Sequence, residues 1–158
     1  MEKLSLVLWR ERGLMETLQY RLEVEQMVMS SGQTRWLTHA ARDVEQVLEE
    51  IRETEILRAV AADEAAAEVG LSPNPSLSAL VEAADEPWRS ILGDHREAFA
   101  AISGEVIRLA EVNRSLISAG LRAAHETLLS LGGGAQTYSP DGTAVADTAR
   151  SFALDRSL

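Results

Sequence analysis

His39, His95 and His125 are the residues of this sequence with the widest chemical range near neutral pH. None has Glu or His three or four positions away, the spacing that turns two ligands to one face of a helix. Glu-x-x-His and His-Glu-x-x-His metal sites are therefore not formed. Cysteine is absent, which removes disulfides and thiolate metal sites. No metal and no other cofactor is expected. Gly132-Gly133-Gly134 is followed by no Lys-Ser/Thr and lies after a helical stretch, so it is not a phosphate loop. Carboxylates are numerous, but along amphipathic helices they describe a wetted face rather than a paired acid and base. No nucleophile, base and orienting group assemble into a catalytic set, and the chain is read as a non-enzyme.

His95 falls in an apolar seam, where a histidine is expected to be a hydrogen-bonded core residue. The competing chemistry is phosphoryl transfer, which helical bundles perform through an exposed His followed by a pattern resembling His-x-aliphatic-Lys-Gly. Here the residues are His95-Arg96-Glu97-Ala98-Phe99. The aliphatic, Lys and Gly positions are all missing, and Glu97 would repel a phosphoryl group.

The elements that must position any site are helical. The 158 residues suit one domain, and 46% apolar content supplies a core. Aromatics are few, and the apolar residues are mostly Leu, Ala, Val and Ile, which suit long helices packed along a seam. The net charge is −10, and Asp43 through Glu68 holds nine acids against Arg52 and Arg58. Such a surface repels phosphate backbones and anionic lipid, so neither nucleic acid nor a membrane surface is an expected partner. No apolar run is long enough to span a bilayer, and no secretory signal is evident at the N-terminus.

A first helix is predicted over 4–30, with Leu4, Leu8, Met15, Leu18, Leu22 and Met29 at 3–4 spacing. Glu11 and Glu25 interrupt it. Ser30-Ser31-Gly32 ends it. A second runs from about 34 to 69, with a seam of Leu37, Ala41, Val44, Leu48 and Ile51 and an alanine-rich end that must pack closely or fray. Gly70 stops it, and Pro73 and Pro75 keep 71–76 a loop. Ser76 caps a short helix over 77–84, and Asp85 is a good cap for the next. That third long helix, 86–131, alternates fours and threes through Trp88, Leu92, His95, Phe99, Ile102, Val106 and Leu109. Asn113 takes the next seam place, where a polar residue costs stability and can fix register. Beyond it the stripe shifts to Ile117, Leu121, Ala124, Leu128 and Leu131, with extra fours that unwind a heptad. The expected fold is all-α: an elongated antiparallel bundle or coiled coil of three long helices and one short one over 1–132. Residues 133–158, with the turn Ser139-Pro140-Asp141-Gly142, are read as a flexible tail.

Asn113-Arg114-Ser115-Leu116-Ile117, Gly120-Leu121, Thr127-Leu128-Leu129-Ser130-Leu131-Gly132 and then Tyr138-Ser139-Pro140-Asp141-Gly142 resemble, in order and spacing, the FlgN family of flagellar export chaperones. Leu8-Trp9-Arg10-Glu11-Arg12 and Glu55-Ile56-Leu57-Arg58 look like its high-GC Gram-positive, actinobacterial-type members. The likeness covers most of 4–142. It implies a cytoplasmic chaperone for the hook–filament junction proteins FlgK and FlgL, with the export gate protein FlhA as docking partner.

The residues are compatible with that role, because an amphipathic client helix can be laid into an apolar groove. Asn113, Leu116, Ile117, Leu121, Ala124, Leu128 and Leu131 are the candidate client contacts. The bundle's own core is the other use for the same stripe. Tyr138 lies in a segment too polar to bury it and is the candidate anchor toward the export gate or the client. A structural or adaptor coiled coil without an export role is the alternative, monomer and homodimer both being open.

Overall fold

The computed structural model describes residues 1–133, and the chain divides into two units, 1–117 and 118 onward. In the first, α1 is Glu2–Ser30, a 3-10 turn covers Thr34–Trp36, α2 is Leu37–Glu68 and α3 is Leu77–Ala83. The last helix, α4, is Trp88–Gly133 and runs from the first unit into the second. No strand occurs among the described residues, and the fold is all-α. No helix among them is long and apolar enough to cross a membrane.

The punctuation follows the glycines and the serine cap. Gly32 and Gly70 adopt φ of +69° and +72°, the left-handed region that only glycine enters without strain. At α2 the Leu71 amide returns to Ala66 O at 2.9 Å, a Schellman closure that satisfies a terminal carbonyl. Ser76 Oγ accepts the Ala79 amide at 3.1 Å, as a capping serine does. The start of α4 differs from expectation. Its first helical residue is Trp88, and Glu86 rather than Asp85 supplies the side-chain acceptor, taking the Ser90 amide at 3.3 Å and hydroxyl at 2.8 Å.

Long-range pairs fix the directions. Lys3 meets Glu64 at 2.6 Å and Arg21 meets Asp43 at 2.9 Å, so α2 runs antiparallel to α1. Ser5 lies beside His95 and Leu22 beside Asn113, so the first-unit part of α4 runs parallel to α1. Consecutive long helices therefore alternate up, down and up. One core joins Leu4 and Leu8 to Ala61, Ala65, Ala66, Leu80, Ala84 and Leu92. The alanine-rich end of α2 thus packs closely, and α3 closes that end of the bundle. A second core joins Leu18 and Leu22 to Val47, Ile51 and Leu109.

The α2 seam of the sequence reading faces the core, with Ile51 buried and Val44 and Leu48 packed against it, but the deepest residues before Ile51 lie one position earlier, at Ala40 and Val47. Ala40, Val47, Ile51 and Thr54 are buried, while Leu37, Ala41, Val44 and Leu48 are half-buried. The reason is that α2 faces two helices, so its buried face is wider than one row of side chains. Thr54 is polar and fully buried because its hydroxyl donates to Glu50 O at 2.8 Å within the same helix.

Candidate partner-binding surface

Two kinds of polar and apolar arrangement result from these helices, one inside the first unit and one on the described part of the second. Inside the first unit, the seam of α1 carries polar residues where hydrophobic ones would continue the pattern. Glu11 and Glu25 do not interrupt the seam; they occupy it, at 7% and 8% exposure. Glu11 forms an ion pair with Arg58 at 3.0 Å. Burial raises its pKa above the ordinary 4.5, Arg58 opposes that shift and Glu55 adds to it. Arg58 therefore faces α1, while Glu49 and Arg52 of α2 pair on the outside at 2.9 Å.

Asn113 is 3% exposed, and its amide donates to Leu22 O and to the Glu25 carboxylate, each at 2.9 Å. This geometry suits register between α1 and α4. Both amide bonds are made within the first unit, unlike those of a residue presented to a client. Leu116 is half-buried and Ile117 is exposed at the end of that unit.

His95 is 2% exposed, with Nε2 at 3.4 Å from Ser5 Oγ and the Trp9 ring edge-on at 5.0 Å. It is the core histidine expected from its seam position. Burial first, and the Arg12 charge second, lower its pKa below 6.5, with Asp94 opposing. A ring this enclosed is a poor phosphoryl acceptor, since a donor domain must reach the nitrogen. Among the described residues no group of three or more His, Asp or Glu could hold a metal ion.

In the second unit, α4 continues over 118–133. Leu121, Leu128 and Leu131 are 68%, 67% and 71% exposed, and Ala124 is exposed with them. Spacings of three, four and three put all four on one helix face. Leu129, absent from the sequence-based set, is exposed as well and broadens the apolar surface. Its signal was visible in the run Leu128-Leu129, but it falls off the 3–4 stripe. Each large side chain gains roughly 1.5–3 kcal/mol when fully buried, so this surface has the means to hold a partner reversibly. Tyr138 and the expected tail lie outside the described residues, apart from the helical Gly133.

The family model described as FlgN protein matches residues 1–146. No curated protein and no solved structure matches the chain.

Proposed function

The chain belongs to the FlgN family, and from that premise we propose that it escorts hook-associated proteins to the flagellar export gate. The family's chaperone role in flagellum biogenesis supplies the class of function, and flagellar proteins the class of partner. The finer reading is that the chain binds a helical segment of FlgK or FlgL, keeps it from assembling early and hands it to FlhA, all in the cytoplasm. On this reading residues 1–132 are the folded domain and 133–158 a tail, with Tyr138 as the docking anchor. Binding needs no chemistry beyond burial of one apolar stripe by another.

The observation that carries the proposal is the exposed stripe of Leu121, Ala124, Leu128 and Leu131. A stripe of 3–4 spacing fits the apolar face of a second helix. Asn113, Leu116 and Ile117 stay in the proposal as its N-terminal margin, with Asn113 acting through register. The test is calorimetry of the full chain with a terminal helical segment of a hook-associated protein. Leu128→Asp is expected to weaken binding more than tenfold while helicity by circular dichroism is unchanged. Unchanged affinity would remove the stripe from the site, and no heat with any hook-associated segment would remove the proposal. A stable homodimer that uses the same leucines would favour the adaptor reading, and sedimentation equilibrium measures it directly.

A further inference from the structure

The outward face of α2 carries apolar side chains where a bundle helix ordinarily carries polar ones. Val47, Ile51, Thr54, Ala61 and Ala65 are buried toward the core. At about 100° per residue, Ile56 and Val60 point the opposite way, with Leu57 beside them. Ile56, Leu57 and Val60 are 68%, 48% and 51% exposed. Positions three and four apart meet on a helix surface, so the three form one cluster. Contiguous apolar surface rimmed by polar residues marks a place where a partner removes it from water.

Charge identifies the partner. Exposed acids bracket the cluster, Glu49 and Glu53 before it and Asp63 and Glu64 after it. Arg52 offsets Glu49 at 2.9 Å, and Lys3 offsets Glu64 at 2.6 Å. Asp63 accepts the Asn74 amide at 2.6 Å, a neutral donor that leaves its charge uncompensated. Glu53 has no ion-pair or hydrogen-bond partner among the described residues. Two uncompensated carboxylates thus stand one turn before Ile56 and one turn after Val60, about 15 Å apart along the axis. A second copy of the chain does not fit this face. An antiparallel pair about the cluster sets Glu53 of each copy against Asp63 of the other, and a parallel pair sets like residue against like. Either arrangement opposes like charges, which disfavours association.

We propose that this face docks an amphipathic helix of a partner protein that carries a short apolar row bracketed by Lys or Arg about 15 Å apart. Ile56, Leu57 and Val60 receive the apolar row, and Glu53 and Asp63 receive the cations. The face lies on α2 within the first unit, separate from the leucine stripe, and stands whether or not that stripe binds a client.

The experiment is a nuclear magnetic resonance titration of the full chain with two synthetic helical peptides. Both carry leucines at 3–4 spacing; one is bracketed by lysines and the other by glutamates. The lysine peptide is expected to shift the backbone amides of 53–63. It is expected to bind roughly tenfold more tightly than the glutamate peptide, the scale of two surface ion pairs exchanged for two like-charge contacts. Salt at about 1 M, which screens beyond about 3 Å, is expected to bring the two within about twofold. Val60→Ser is expected to weaken the lysine peptide roughly fivefold, the scale of half burying a valine side chain. Equal affinities at low salt, shifts confined to residues outside α2, or no binding at millimolar peptide would overturn the proposal. Loss of lysine-peptide binding in Leu128→Asp would place the peptide on the leucine stripe and overturn it as well. So would a dimer in sedimentation equilibrium that Ile56→Ser dissociates, since a second copy would then cover the face.

Discussion

The side-chain amide of Asn113 donates to the Glu25 carboxylate at 2.9 Å, joining α4 to α1 through two buried polar residues. A buried carboxylate that loses such a donor keeps its desolvation cost and gains nothing in return. Asn113→Leu is therefore expected to destabilise the chain by about 2–3 kcal/mol. Adding Glu25→Leu to it is expected to restore most of the loss, because two apolar side chains can replace the pair. Urea denaturation of the single and double variants checks this, and a double variant no better than the single one would contradict it.

Glu11 gives a pH signature. Its folded pKa is raised above 4.5, chiefly by burial. The folded state then holds a proton that the unfolded state has released, so stability from this group is full below the unfolded value. It is lost as pH rises through the folded one. Glu11→Gln is expected to gain on the unsubstituted chain as pH increases from about 4 toward 7. Thermal unfolding across that range is the measurement, and a difference independent of pH would refute the assignment.

His95 acts in the opposite sense. Its folded pKa is lowered below 6.5, so the unfolded state takes up a proton first as pH falls. Its contribution is complete above 6.5 and is lost on acidification through the folded value. His95→Leu is expected to flatten that part of the stability profile. The same unfolding series, extended on both sides of 6.5, reads it.

Exposure separates two leucines of one helix. Leu109 is 1% exposed within the second core, and Leu121 is 68% exposed. Leu109→Ala is expected to cost about 2–5 kcal/mol, from lost burial and the cavity left behind. Leu121→Ala is expected to stay within about 0.5 kcal/mol. Equal losses in denaturant would show that Leu121 is buried in solution.

Periodicity made the helices legible, because apolar residues at 3–4 spacing and glycine stops act locally. Leu4, Leu8, Leu18, Leu22, Leu92 and Leu109 are core residues as their spacing predicts. What could not be read was the use of polar residues inside the seam. Glu11 looked like a break because its partner, Arg58, lies 47 positions away on another helix. Thr54 carries no core signal in the sequence, because its hydroxyl is satisfied by its own helix backbone, which composition does not reveal. The stripe of α4 was located by spacing, but spacing is blind to whether leucines face a core or solvent; exposure of Leu121, Leu128 and Leu131 distinguishes these.

Ala61, Ala65 and Ala66 are each 1% exposed against Leu4, Leu8, Leu80 and Leu92. These three sites leave sequence drift almost no room. A glycine would loosen the helix by about 1 kcal/mol, and any larger side chain must push α1, α3 or α4 outward. That end of the first unit, closed around three alanines, therefore tolerates little change in side-chain size.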